Sequence, residues 1–195
     1  MNNENKKIKK IFIAGAYGMV GSALRRAYLQ NMDKFKYRIK LLIPTKDELD
    51  LTDYERVNNW FSSHKPDLVI IAAAKVGGIL ANYNYPYEFI LKNLKIQTNL
   101  IENSFKHNVE KLLFLGSSCI YPKLAPQPID EEYLLTGPLE ETNEFYAISK
   151  ISGIKLCQSL NQQYGFNSIC LMPTNLYGPG DNYNPLDSHV LPAFI

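Results

Sequence analysis

A tyrosine and a lysine stand four residues apart in the segment Tyr146-Ala-Ile-Ser-Lys150. In a helix this spacing places the phenol and the ammonium on one face. A nearby ammonium favours the phenolate, so we expect the pKa of Tyr146 to be lowered toward neutrality, which suits a general acid or base. Lys150 can also bind the ribose of a nicotinamide cofactor. Because Tyr-x-x-x-Lys pairs are common by chance, this interpretation depends on where the fold places the pair.

Two serines follow an apolar segment that ends at Gly116. Ser117 and Ser118 would lie at the carboxyl end of a buried strand, which is where ligands bind in open α/β sheets. A serine hydroxyl at that place can hydrogen-bond a substrate carbonyl and orient it. The sequence therefore predicts a reductase site that consists of Ser117, Tyr146 and Lys150.

Three glycines, Gly15, Gly18 and Gly21, follow the first predicted strand and open the first predicted helix. In a dinucleotide site the first permits a tight turn, the second lets the backbone approach a pyrophosphate, and the third lets helix and strand pack closely. The start of the helix, Met19 and Val20, then offers free N–H groups to the phosphates. A tight turn without a ligand is the alternative, but the strand–turn–helix context favours dinucleotide binding.

The end of the second predicted strand bears on the choice of cofactor. NAD sites carry Asp or Glu there to bind the ribose hydroxyls, whereas this sequence reads Ile43-Pro-Thr-Lys46. Lys46 can bind a 2′-phosphate, which favours NADP(H). Asp50 and Asp53 either line the adenine side of the site or, as is equally consistent for Asp53, cap the next helix.

Alternating strands and helices must position these residues. The hydrophobic pattern predicts the α/β class, with a Rossmann-type doubly wound parallel sheet and helices on both faces. Strands are predicted at 10–14, 37–43, 68–73, 111–116 and 168–172, and helices at 19–32, 54–63, 87–106 and 145–164. The third strand is a continuous apolar run, which predicts burial on both faces. The segment 121–144 is predicted to be a functional or mobile loop.

The composition is that of one globular domain, with 195 residues, 46% hydrophobic and 21% charged. The net charge of +2 gives no electrostatic reason to expect a nucleic-acid or membrane partner. Three cysteines without metal-ligand spacing predict no metal site and fit a reducing, cytoplasmic setting. We expect residues 1–8 to be a flexible basic tail and residues 9–180 to be the NADP-binding domain. A basic stretch is assigned to the solvated tail before the first strand: Lys6, Lys7, Lys9 and Lys10.

Three longer motifs resemble a known family: Ala72-Ala-Ala-Lys-Val-Gly-Gly78, Phe114-Leu-Gly-Ser-Ser-Cys-Ile-Tyr-Pro-Lys123 and Met172-Pro-Thr-Asn-Leu-Tyr-Gly-Pro179. They are similar to the GDP-L-fucose synthase family of extended short-chain dehydrogenases/reductases, and the resemblance runs from Ile11 to the end of the chain. It implies an NADPH-dependent 3,5-epimerase and 4-reductase of GDP-4-keto-6-deoxy-D-mannose, with Cys119 and His189 as the acid/base pair of epimerisation. Beside the glycine turn, it implies a set of cofactor-binding residues: Lys46, Leu115, Gly116, Ser117, Ser118, Lys150, Pro173, Thr174, Asn175, Leu176 and His189.

The residues themselves leave the epimerisation pair open. Cys119 can point into the same site as Ser117 or can be inert packing, and an isolated histidine such as His189 can be a surface residue. Two positions depart from the family pattern, because Tyr17 and Pro44 stand where it has basic residues. Lys46 is then the main support for NADP(H). The remaining cysteines and histidines are assigned to the core and to helix ends respectively: Cys157, Cys170, His64 and His107.

The resemblance also bears on the extent of the chain and its assembly. Family members continue into a smaller C-terminal domain that binds the GDP-sugar, so residues 181–195 are expected to be its truncated start. A homodimer is implied, with the helical stretches 87–106 and 145–164 as its faces. Two other interpretations stay open: a related nucleotide-sugar 4-reductase, acting for example on a GDP-6-deoxyheptose, and a non-catalytic dinucleotide-binding module.

Overall fold

The computed structural model describes residues 8–184, 188 and 190–193, in which strands and helices alternate. The strands are β1 (Ile8–Ala14), β2 (Arg38–Leu42), β3 (Leu68–Ile71), β4 (Lys111–Leu115) and β5 (Ser168–Leu171). The helices are α1 (Met19–Gln30), α2 (Tyr54–His64), α3 (Ile79–Asn84), α4 (Pro86–Lys106), α5 (Glu144–Tyr164) and α6 (Val190–Ala193). Short 3-10 turns lie at Met32–Lys34, Ser118–Ile120, Glu131–Tyr133 and Glu141–Asn143.

The five strands form one parallel sheet in the order β2-β1-β3-β4-β5. The chain therefore leaves β1 in one direction and β3 in the other, which creates a topological switch point at the carboxyl ends of these two strands. Right-handed crossovers place α1 on one face of the sheet and α2, α4 and α5 on the other. This arrangement confirms the predicted Rossmann-type sheet with helices on both faces.

One face of the sheet carries the core, because alternate side chains of the strands point to it. Phe12, Val69, Leu112 and Phe114 are fully buried against apolar side chains of α2, α4 and α5. On the opposite face the side chains of β3 are only partly buried. The prediction that this strand is buried on both faces was therefore wrong for the described residues, since fewer elements cover the second face.

The first strand begins earlier than its sequence pattern indicates. It starts at Ile8, so Lys9 and Lys10 are strand residues and do not belong to a solvated tail. Lys9 is buried and forms ion pairs with Asp67, at 3.5 Å, and with Glu110. A lysine becomes a core residue here because the loops that precede β3 and β4 bring two carboxylates to it, which no local pattern reveals.

A short helix, α3, was missed by the sequence analysis. It is one and a half turns long, too short for a recognisable hydrophobic period, and such helices depend on tertiary contacts. Asn82 supplies one, since its side chain donates to the carbonyls of Gly77 and Gly78, at 2.8 and 3.0 Å. The other predicted elements are present, with ends shifted by one to two residues.

Several side chains outside the site take the expected structural positions. His64 lies at the end of α2, with Nδ1 2.9 Å from the carbonyl oxygen of Trp60, and His107 follows α4, with Nε2 3.1 Å from Oδ1 of Asn58. Burial, and secondarily the charge of Lys106, lowers the pKa of His107. Asp53 caps α2 by accepting from the backbone N–H of Arg56, as one of its two interpretations predicted. None of the described helices is long and apolar enough to cross a membrane.

Candidate active site

The glycine turn between β1 and α1 is built for close backbone approach. Gly15 has a φ of +83°, and a Cβ there would lie 2.7 Å from the backbone nitrogen of Ala73. A Cβ on Gly21 would lie 2.1 Å from the carbonyl oxygen of Gly15. Gly18 precedes α1 as its N-cap without a side-chain hydrogen bond, so the N–H groups that follow it remain available. This cradle fits the diphosphate of a dinucleotide.

Ser117 follows β4 and opens the 3-10 turn Ser118–Ile120. Its Oγ accepts from the backbone N–H of Cys119 at 3.3 Å, and its hydroxyl lies close enough to the phenol of Tyr146 to lower the pKa of that group. Cys119 is close enough to Tyr146 to act on its pKa, and the ring of Phe89 packs edge-on against that of Tyr146, with centroids 6.5 Å apart. The structure thus brings together three side chains that are up to 29 positions apart in the sequence.

Lys150 lies one helical turn after Tyr146 and is only 4% exposed. Its Nζ donates to the carbonyl oxygen of Leu115 at 2.8 Å and lies 4.9 Å from the ring centroid of Phe114 and 5.8 Å from that of Tyr146. Burial lowers the pKa of Lys150 from 10.5 to about 8. The group remains predominantly an ammonium at neutral pH, but it holds its proton less firmly than an ordinary lysine.

The pKa of Tyr146 departs from the sequence expectation. The pKa of Tyr146 is raised from 10 to about 12, mainly by burial and secondly by the nearby Cys119, and the neighbouring hydroxyl of Ser117 only partly opposes these effects. The expectation of a pKa near neutrality was therefore wrong, because the ammonium of Lys150 is bonded to a backbone carbonyl while the phenol itself is desolvated. Tyr146 is protonated at neutral pH, which is the state that a proton donor needs.

Further residues that were predicted to bind cofactor lie at the carboxyl ends of β4 and β5. The backbone N–H of Gly116 donates to the carbonyl oxygen of Leu171 at 2.8 Å, and that of Ser118 donates to the carbonyl oxygen of Pro173 at 3.2 Å. These bonds place the segments 115–118 and 173–176, both predicted to bind cofactor, side by side. Thr174, Asn175 and Leu176 are exposed and Pro173 is half-buried, so this edge is open to a ligand.

The residues that bear on the 2′-phosphate lie at the surface. Lys46 is exposed, in the loop after β2, and it lies near Asp50, whose pKa is lowered mainly by hydrogen bonds from Thr52. Asp50 accepts from both the backbone N–H and the hydroxyl of Thr52. Tyr17, at 57% exposure, carries the guanidinium of Arg25 over its ring at 4.8 Å. Arg25 thus places a positive charge close to Tyr17, the position at which the family pattern has a basic residue.

Of the predicted epimerisation pair, Cys119 and His189, only Cys119 lies within the described residues. Cys119 is half-buried beside Ser117 and Tyr146, whereas Cys157 lies in the core and Cys170 packs against it. This separates Cys119 from the two structural cysteines, as expected. His189 lies outside the described residues, so its role stays a prediction. Among the described residues no group of histidine, cysteine and carboxylate side chains could hold a metal ion.

Two residues were missed by the sequence analysis. They are Asn93, which is buried on α4, and Lys75. The Asn93 side chain accepts from the backbone N–H of Lys75 at 2.7 Å and donates to its carbonyl at 2.9 Å. Asn93 and Lys75 are 18 positions apart, which matches no local period. The signal in the sequence is the motif Ala72–Gly78, in which Lys75 is a single charged residue among small and apolar ones.

The chain can be placed among known proteins. Residues 11–195 match the NAD dependent epimerase/dehydratase family. The chain is 54% identical over 187 residues to GDP-L-fucose synthase of Escherichia coli (strain K12), which covers 96% of this chain and 57% of that protein. It is 55% identical over 195 residues to GDP-L-fucose synthase 1 of Arabidopsis thaliana, covering 100% and 59% respectively. A solved structure of MlghC, a GDP-mannoheptose C4 reductase from Campylobacter jejuni with NADP bound, matches with a TM-score of 0.85 at 41% identity, covering 96% of this chain and 54% of that one.

The sheet order and the glycine cradle define a Rossmann-type protein. Within that class, the chain belongs to the NAD dependent epimerase/dehydratase family. It spans 57% and 59% of the length of the two curated relatives.

Proposed function

We propose that this protein is an NADPH-dependent enzyme that epimerises GDP-4-keto-6-deoxy-D-mannose at C3 and C5 and reduces it at C4 to GDP-L-fucose. The observation that carries the proposal is the cluster of a protonated, half-buried Tyr146 with Ser117, Cys119 and Lys150 at the end of β4. The two curated relatives bear the name of this activity. A simple reductase needs no cysteine beside its serine and tyrosine, so Cys119 favours the bifunctional reaction.

The geometry suggests how the residues divide the chemistry. Ser117 donates a hydrogen bond to the 4-keto oxygen and stabilises the enolate that forms when C3 or C5 loses its proton. Cys119 and His189 remove and return these protons. Bound NADPH supplies the hydride for C4. Tyr146 then gives its proton to the developing alkoxide, and the neighbouring Lys150 ammonium stabilises the phenolate that is left.

The cofactor would lie across the carboxyl edge of the sheet. The cradle Gly15, Gly18 and Gly21 takes the diphosphate, with the N–H groups of Met19 and Val20 at the start of α1. Lys46 takes the 2′-phosphate, which selects NADP(H). A further set of residues lines the nicotinamide half: Leu115, Gly116, Ser117, Ser118, Lys150, Pro173, Thr174, Asn175, Leu176 and His189. The relative MlghC was solved with NADP bound, which supports this choice of cofactor.

A second candidate is a 4-reductase of another GDP-sugar. The match to MlghC favours it, because that protein is named a GDP-mannoheptose C4 reductase and is 41% identical to this chain over the matched region. The higher identity to the curated relatives favours the first proposal. A non-catalytic dinucleotide-binding module is disfavoured, since Ser117, Tyr146 and Lys150 assemble in one place and binding alone needs no such proton donor.

We also propose the domain division, the assembly and the setting. Residues 9–180 form the NADP-binding domain, and residues 181–195 begin the region that binds the GDP-sugar. Helices α4 and α5 pack side by side, and their outer surfaces would form the interface of a homodimer. Light scattering that shows only monomer would exclude this interface. Three free cysteines support a reducing, cytoplasmic setting.

Solvent exchange on the full-length protein tests the assignment of activity. In D₂O, the wild type should incorporate deuterium at C3 and C5 of the 4-keto sugar, whereas Cys119→Ser should lose this exchange and still transfer hydride to an epimerised substrate. His189→Ala should also exchange more slowly, since water replaces a histidine poorly. Cys157→Ser, a change at a structural cysteine of α5, is the matched control. Wild-type exchange in both Cys119→Ser and His189→Ala would leave a reductase without epimerase activity.

A further inference from the structure

The loop 72–78, which follows β3 at the carboxyl edge of the sheet, has no role in the proposed reaction. It leaves β3 at Ala72, whose backbone N–H donates to the carbonyl of Ala14 at 3.0 Å, and continues to Gly78. It passes directly against the glycine cradle, because a Cβ on Gly15 would touch the backbone of Ala73. The next charged side chain, Lys75, therefore stands at the edge where a nucleotide would lie.

The backbone of this loop is held from two sides. Asn93 binds both the N–H and the carbonyl of Lys75, and Asn82 donates to the carbonyls of Gly77 and Gly78. Both asparagines are buried. Because the backbone at Lys75 is already fixed, the loop loses less conformational entropy when a ligand binds to it.

The ammonium of Lys75 is half-buried and lacks an acidic partner. Its Nζ lies 5.7 Å from the ring centroid of Tyr85 and 5.2 Å from that of Phe89. Phe89 also packs against Tyr146, so the same ring neighbours both this ammonium and the phenol. No carboxylate lies within ion-pair distance of Lys75 in the part of the chain that the structure describes. Aromatic faces compensate a cation only partly, which leaves it attractive to an anion.

We propose that Lys75 binds the diphosphate of a nucleotide in this cleft. The inference rests on the proposed function, which brings two diphosphates to the site, that of the dinucleotide cofactor and that of the GDP-sugar. An ammonium on a fixed backbone is a point charge with three donors, which suits the several oxygens of a diphosphate. This charge adds to the neutral N–H cradle of the glycine turn and lies on its β3 side.

Calorimetric titration of the full-length protein with NADPH, NADH and GDP tests the proposal. Lys75→Met keeps the aliphatic stem and removes the charge, and it should weaken at least one ligand roughly tenfold or more. Equal weakening of NADPH and NADH identifies the cofactor diphosphate, because NADH lacks the 2′-phosphate, and weakening of GDP identifies the sugar nucleotide. The affected ligand should also lose part of its salt dependence. Lys75→Arg should retain most of the affinity.

Two controls separate a direct contact from other effects. Lys34→Met removes an exposed charge remote from the cleft, after α1, and should leave all three affinities unchanged. Asn93→Leu keeps the charge but frees the loop, and it should weaken the same ligand as Lys75→Met, with a circular dichroism spectrum that shows an intact fold.

The results also separate this inference from the proposed function. Wild-type affinities and salt dependence for all three ligands in a folded Lys75→Met protein would overturn the role of Lys75 alone. Loss of NADPH but not NADH affinity would overturn it as well, since the contact would then be to the 2′-phosphate. A wild-type protein that binds none of the three ligands would overturn the proposed function together with this inference.

Discussion

Removal of the buried charge of Lys150 should change how the stability of the protein depends on pH. In the folded protein the pKa of Lys150 is about 8, below its ordinary value of 10.5, and burial is the cause. The unfolded chain therefore holds the proton more firmly than the folded one. The resulting penalty on the folded state is fully present below pH 8 and is relieved as the pH rises from 8 to 10.5.

The size of this effect follows from the difference between the two pKa values. At about 1.4 kcal/mol for each pKa unit, the penalty is about 3 kcal/mol at pH 7. Little discount for solvent screening is needed, because the side chain is 4% exposed. In Lys150→Met the penalty disappears, but the carbonyl of Leu115 loses its donor, which costs about 1–3 kcal/mol at every pH.

The pH dependence of the stability difference between wild type and Lys150→Met therefore reports the buried charge alone, because the cost of the lost hydrogen bond is the same at every pH. We expect the free energy of unfolding of the wild type, minus that of Lys150→Met, to rise by about 3 kcal/mol between pH 7 and pH 10.5. Urea denaturation of the ligand-free protein, followed by circular dichroism, measures it. Lys155→Met removes an exposed lysine of the same helix and should show no such change. A difference for Lys150→Met that stays constant over this range would refute the reasoning.

Two substitutions test the remaining site assignments. Tyr146→Phe keeps the ring and removes the proton donor, so reduction by the full-length enzyme should fall roughly 10²-fold or more while NADPH still binds, as calorimetry can check; near-normal turnover would exclude Tyr146 as the donor. Lys46→Ala should reduce the preference for NADPH over NADH by about 1 kcal/mol, measured by titration of both cofactors, since a charge-assisted hydrogen bond to the 2′-phosphate is lost. An unchanged preference would assign the 2′-phosphate to another cation, and the Arg25 stacked on Tyr17 is one candidate.

The sheet and its order of elements were accessible from the sequence because their signals are local. Alternation of apolar runs with helical periods requires βαβ units, and right-handed crossovers then leave few topologies. The glycine turn was recognisable for the same reason, since its three glycines stand within seven residues of chain, directly after a predicted strand. The ends of the elements were predicted only to within one or two residues. The six-residue α3 was missed, because it depends on the Asn82 side chain more than on helix propensity.

The candidate site was predictable as a set of residues but not as a set of ionisation states. The helical spacing of Tyr146 and Lys150 fixes their common face, and the end of β4 fixes Ser117 and Cys119. Spacing does not report how much water each group loses. Consequently, the pKa of Tyr146 was expected near neutrality and lies at about 12.

The sequence by itself thus determined the class of fold, the glycine cradle and the four described catalytic candidates, because each carries a signal in a short segment of chain: alternating hydrophobic periods, glycine spacing, helical spacing, or a motif that resembles a known family. The tertiary structure alone decided that Lys9 is a buried ion-pair residue, that Lys150 is desolvated, and that Asn93 holds Lys75 in place. Burial and charge environment are sums over segments distant in sequence, so they become defined only when those segments pack.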